Sequence, residues 1–282
     1  MRSHRSLFLS GAALALAALA FIWGCSDDDD NPTKWGSLED PQFQAANTQF
    51  EALLDTTITQ FTEALGAIQT LPANDDDPIH HGPGDPNGIT DSLILSYSSG
   101  WHTIHLEWHS QSGYIAIVND SIQFLRNGQP TQEGSGLEQL LYRHRWSWTA
   151  PDTTVTYING AGYSLFDFDG LHTQEATIDG ANGCSVETKF VFADSVVHYD
   201  FAAEAALDDV VVTKTGPTWD RGCPTSGRFT ATIMMTYQRN DEAPVPTQWN
   251  FSATFHNGAV HVVATANGYT WTYDGVACSQ EG

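Results

Sequence analysis

From Asp91 onward, apolar and polar residues alternate along most of the chain. The clearest run is Arg228 to Cys278. Phe229, Ala231, Ile233, Met235 and Tyr237 alternate with Thr230, Thr232 and Thr236. Trp249, Phe251, Ala253 and Phe255 alternate with Asn250, Ser252, Thr254 and His256. A period of two marks a strand with one buried face. Asn257-Gly258 and Asn267-Gly268 supply the positive φ that two-residue hairpin turns need. About a dozen strands follow from this pattern. Turns are predicted at Asn127-Gly128, Asn159-Gly160, Asp169-Gly170, Asp179-Gly180 and Asn182-Gly183, with separate strands near 153–158 and 162–168, 171–178 and 184–193, and 195–202 and 207–214. Such short connections join antiparallel neighbours, so the fold class is mainly β, a large antiparallel up-and-down meander.

One stretch keeps a different period. Phe43, Ala46, Phe50, Leu54, Ile58, Phe61, Leu65 and Ile68 recur at steps of three and four, which predicts an amphipathic helix over 41–71 that ends before Pro72. A dozen strands make a sheet ~55 Å wide. A helix of this length, ~42 Å by ~10 Å, covers part of one face. The sheet therefore curls into a half-barrel or barrel-like shape, with the helix across its opening. That shape resembles the carriers of lipoprotein and lipid in bacterial envelopes.

The N-terminus carries Arg2 and Arg5, then an apolar run over 7–21 that is short for a membrane span. It closes on Ile22-Trp23-Gly24-Cys25, which resembles the lipobox of bacterial lipoproteins. The resemblance implies a signal peptide over 1–24, a diacylglycerol on the Cys25 thiol, and a lipid-anchored domain in the bacterial envelope, at the outer membrane and in some bacteria at the cell surface. Ser26-Asp27-Asp28-Asp29-Asp30 begins a flexible acidic tether over 25–40. It also resembles a surface-export signal; an ordinary linker fits equally.

The chain has 34 Asp+Glu against 11 Lys+Arg, a net charge of -23, so nucleic acid is excluded as a partner. No motif of nucleophilic catalysis is present, and neither enzymatic activity nor a cofactor is expected. The loop over 73–91 groups Asp75, Asp77, Asp85 and Asn87, which could hold calcium but reads better as a solvated loop. His105, Glu107 and His109 share one face of a strand, a spacing that can present two imidazoles and a carboxylate to a metal. The alternative is a polar outer face. Arg143 and Arg145 are expected to pair with Glu107 across strands or to grip an acidic ligand.

Strand parity pairs Cys223 with Cys278. One precedes the first of the four C-terminal strands and the other follows the last, whereas Cys184 starts at the opposite end. A helix smaller than the sheet face leaves an apolar cradle. Its lining is predicted to include Phe50, Leu54 and Phe61 from the helix, with Leu106, Trp108, Trp146, Phe190, Tyr199 and Trp249 from the sheet. Two functions follow. One is a membrane-anchored lipoprotein that binds a hydrophobic small molecule. The other is a structural or surface-interaction lipoprotein with a packed core and an envelope protein as partner.

Overall fold

The computed structural model describes residues 34–70, 90–109, 113–132, 136–150, 156–192, 195–214, 219 and 223–277. It contains one helix, α1 (Pro41–Thr70), and one open sheet of thirteen strands. The strands are β1 (Lys34–Trp35), β2 (Thr90–Ser98), β3 (Trp101–His109), β4 (Ile115–Arg126), β5 (Gln129–Thr131), β6 (Gln139–Thr149) and β7 (Thr156–Asp169). They continue with β8 (Glu175–Val191), β9 (Val196–Thr213), β10 (Pro224–Arg239), β11 (Val245–His256), β12 (Ala259–Ala266) and β13 (Tyr269–Val276). Spatial order follows chain order from β2 to β13, except that β5 pairs with β4 alone and β1 joins the far edge in parallel with β13. The meander and the mainly β class are thus as expected, and the sheet stays open.

The Gly-containing dipeptides divide into two kinds. Asn127-Gly128, Asn257-Gly258 and Asn267-Gly268 take positive φ at both residues and are hairpin turns. Asn159-Gly160, Asp179-Gly180 and Asn182-Gly183 do not; they lie inside β7 and β8. The pairs of short strands predicted there are therefore single long ones. β8 has 17 residues and β9 has 18. The glycines serve close approach instead: a Cβ on Gly160 would stand 3.2 Å from the Trp146 ring, and one on Gly180 2.2 Å from the Leu165 carbonyl oxygen.

Helix α1 starts where Asp40 caps it, its carboxylate accepting from the Gln42 amide at 2.8 Å, with Pro41 as the first helical residue. Residues 34–40, expected as tether, are tied down. Gly36 N–H donates to the Thr270 carbonyl at 2.9 Å, and the Trp271 indole N–H to the Ser37 carbonyl at 3.0 Å.

The helix follows one row of the sheet. Reading register from β13 to β3, that row is Trp271, Ala264, Phe251, Ala231, Ala205, Asn182, Ser164, His144, Asp120 and Ile104. The alanines leave a furrow into which the helix sinks. Phe43 stacks on Trp271 at 5.4 Å, Phe50 stacks on Phe251 at 4.4 Å, and Phe61 meets Phe166 edge-on at 5.1 Å. Buried helical residues span more than half the circumference. They include Gln49, Thr57 and Gln60, which lie off the expected stripe. From Phe43 to Glu63 the helix rises ~30 Å and passes seven strand gaps, ~34 Å of sheet. The sheet wraps around it.

Candidate functional site

The two flanks of the furrow differ. On one, Ile122, Tyr142, Phe166, Leu207, Phe229, Ala253 and Val262 are all buried and close the core. On the other, burial fades toward β3. Trp249, Ile233 and Ala203 are buried, but Trp146, Val118 and Leu106, farther along the same row, are half-buried. The next row repeats this with Trp148 and Trp108 half-buried on either side of Ala116. Tyr114 stacks on Trp148 at 6.0 Å. The result is a partly uncovered apolar patch on the inner face of β3, β4 and β6.

The nine residues predicted to line a cradle separate along this boundary. Phe50, Leu54, Phe61, Tyr199 and Trp249 are buried. The first, third and last are held by aromatic contacts to Phe251, Phe166 and Trp271. Leu106, Trp108, Trp146 and Phe190 are half-buried, the first three within the patch.

Beside the patch runs a set of polar groups that sequence reasoning missed. Asp120 on β4, His144 on β6, Ser164 on β7 and Asn182 on β8 are successive members of the furrow row, and the helix lays Thr57, Gln60 and Glu63 over them. The His144 imidazole nitrogen Nδ1 lies 2.5 Å from the Asp120 carboxylate, and His144 is 2% exposed. Ser164 donates its hydroxyl proton to Gln60 Oε1 at 2.7 Å, and the Asn182 amide donates to the Thr57 hydroxyl. Burial, with the Asp120 carboxylate next to it, pushes the Glu63 carboxyl up to about 7, against a smaller opposing pull from His144. Its own burial, with Asp120 and then Glu63 beside it, holds the Tyr142 phenol well above its usual range. Asp, His and Ser in a row invite comparison with a hydrolase triad. The serine, however, gives its proton to an amide rather than to the imidazole, so it is not activated as a nucleophile. The readable signal was a polar residue in the inward phase of an apolar strand: Asp120 between Val118 and Ile122, and His144 between Tyr142 and Trp146.

The other candidates lie on the outer face. Glu107 holds both neighbouring imidazoles, His109 at 2.6 Å and His105 at 3.8 Å, and the hydrogen bond from His109 keeps its carboxyl below the usual range. His105 also meets Asn119 at 2.7 Å. Among the described residues no group of three or more His, Cys, Asp or Glu is arranged to hold a metal. Glu107 is therefore engaged by histidines and not by the arginines; Arg143 instead stacks over Trp101 at 4.5 Å. Two open hollows of about 400 and 500 Å³ also lie outside the furrow, one around Glu187, Asp200 and Met234, the other beside the Asn267-Gly268 turn. Neither touches the nine predicted residues.

Cys223 is disulfide-bonded, and Cys184 is a free thiol in the row of Gly162 and Ala203. Burial, reinforced by Glu204, pushes Cys184 up to about 12. We expect a thiol reagent at pH 8 to leave Cys184 unmodified in the native protein and to react once the chain is unfolded in denaturant. Cys25, Cys278 and the Asp75, Asp77, Asp85 and Asn87 loop lie outside the described residues. Among the described residues no helix is long and apolar enough to cross a membrane. No protein-family model, curated protein or solved structure matches the chain.

Proposed function

We propose that the protein is a lipid-anchored envelope lipoprotein, without enzymatic activity, that binds an apolar molecule on the uncovered patch of β3, β4 and β6. The observation that supports this is the gradient of burial along single rows of one concave face. The row of Trp249 and Ile233 is sealed by the helix, whereas the same row at Trp146, Val118 and Leu106 is not. Apolar surface left contiguous in this way favours a ligand or partner. The ligand site is smaller than the cradle read from sequence and excludes Phe50, Phe61 and Trp249, which pack the core. That packed core favours the alternative, a sealed interaction protein, over the rest of the face.

Titration of the full chain with an uncharged fluorescent hydrophobic probe separates the two. Saturable binding that Trp108→Ala weakens about tenfold, while Phe61→Ala costs stability instead, is the expected result. Absence of saturable binding would leave the sealed reading.

The anchor is part of the same proposal. Cys25→Ser is expected to move the protein out of the carbonate-washed membrane fraction, since the acyl chains would be lost. We also propose a Cys223–Cys278 bond. The Asn257-Gly258 turn supports it: Asn257 N–H donates to the Thr225 carbonyl at 2.7 Å, and Ala277 N–H to the Gly258 carbonyl at 2.9 Å. The chain just after Cys223 and just before Cys278 therefore flanks one turn. Closing a loop of this size contributes ~4 kcal/mol in the chain-entropy model. Non-reducing peptide mapping is expected to recover the two cysteines in one linked fragment.

A further inference from the structure

Resting on the binding reading above, we infer that the ligand is an amphiphile with a cationic, proton-donating head, such as a long-chain amine. Its chain would lie on the patch and its head against Glu63 and Asp120. The placement follows from register. Asp120 is two residues from Val118 on β4, and His144 is two from Trp146 on β6, so each shares a face with its patch neighbour ~7 Å away. The acid–base group thus borders the apolar surface directly. His144 is buried, but the Asp120 side chain is 12% exposed and Glu63 is half-buried, so the carboxylates are the members that reach the margin.

Charge selects the head. Two carboxylates, on α1 and β4, face one imidazole on β6 and the Tyr142 phenol. The basic residues of β6, Arg143 and Arg145, are exposed on the opposite phase of the strand. No Lys or Arg is ion-paired with Glu63 or Asp120 among the described residues. A carboxylate or phosphate head would meet like charge. A neutral head would leave the two carboxylates facing each other. An ammonium group offers up to three donors and relieves that repulsion. Binding it draws Glu63 toward its ionised form, so the amine should bind more tightly as pH rises from 6 to 8.

Isothermal titration calorimetry of the full chain with dodecylamine, dodecanol and dodecanoate, each below its aggregation limit, tests the inference at constant chain length. The amine is expected to bind about tenfold more tightly than the alcohol, and the carboxylate more weakly than either. Glu63→Gln should remove most of the amine's advantage over the alcohol and its pH dependence. Equal or tighter binding of dodecanoate, or an amine preference untouched by Glu63→Gln, overturns the head assignment and leaves the apolar site standing. Failure of all three ligands to bind overturns the site itself.

Discussion

Phe50→Ala is expected to lower the unfolding free energy by ~3–5 kcal/mol, read as a fall in the urea midpoint with an unchanged slope. Phe50 is fully buried in the first third of the helix, stacked on Phe251 at 4.4 Å and tilted against Phe229 at 5.9 Å. Below it the furrow floor is Ala231, with Ala205 next in the row. Small residues cannot move in to fill the space a lost ring would leave, and neighbouring strands are pinned by their ladders. The site therefore relaxes poorly, and the cavity contribution adds to the transfer contribution. Trp108→Ala, in the half-buried patch, should cost far less stability while weakening the binding proposed for that patch. The contrast separates core from site within one sheet face.

The second large effect is one of pH. The Glu63 carboxyl is raised from 4.5 in a free side chain to about 7 in the fold. Between those values the native state holds a proton that the unfolded chain has released. The stability tied to that proton is fully present below about pH 4.5. It declines as pH rises through about 7, and above that it is lost. A raise of this size corresponds to ~3 kcal/mol, an upper value because Glu63 keeps some solvent contact. Glu63→Gln cannot ionise and escapes the loss. It is expected to match the parent protein near pH 4 and to exceed its stability at pH 8, as compared by urea denaturation at the two pH values. Equal pH dependence in parent and variant would mean that burial, with Asp120 beside it, does not hold the proton on Glu63.

The strand pattern, the helix and the meander were legible because each depends on local periodicity. Trp249, Phe251 and Phe255 could fall only on the inward phase of β11. Two things were not legible. Asn-Gly and Asp-Gly pairs read alike whether the glycine turns the chain, as Gly258 does, or makes room for a ring, as Gly160 does for Trp146. The choice depends on a residue from another strand. The polar group was equally hidden. Asp120, His144 and Ser164 are 44 residues apart at their widest, and only cross-strand register aligns them. Gln60 and Thr57 appear as ordinary polar helix residues until Ser164 and Asn182 are found beneath them. The burial of Phe50, Leu54 and Phe61 was not legible because relative area alone lays the helix on the sheet. It sinks between rows, and it covers more surface than its diameter suggests.

Chain order gives this seating a kinetic character. The helix is complete in sequence before β2 begins, yet Phe43 and Phe50 rest on β10, β11 and β13. The bond from Trp271 to Ser37 joins residues 234 apart, and that from Tyr273 to Asn47 joins residues 226 apart. Loop closure over such distances must come before the contacts that offset it, which places refolding in the slow, ms-to-s class of non-local β topologies. Until β10 to β13 arrive, the N-terminal part of the threonine-rich helix has no furrow beneath it and little helicity of its own. A chain that stops short of β12 would leave Phe43 without Trp271 and Tyr273 and β11 as a bare edge, a species primed to associate with others of its kind.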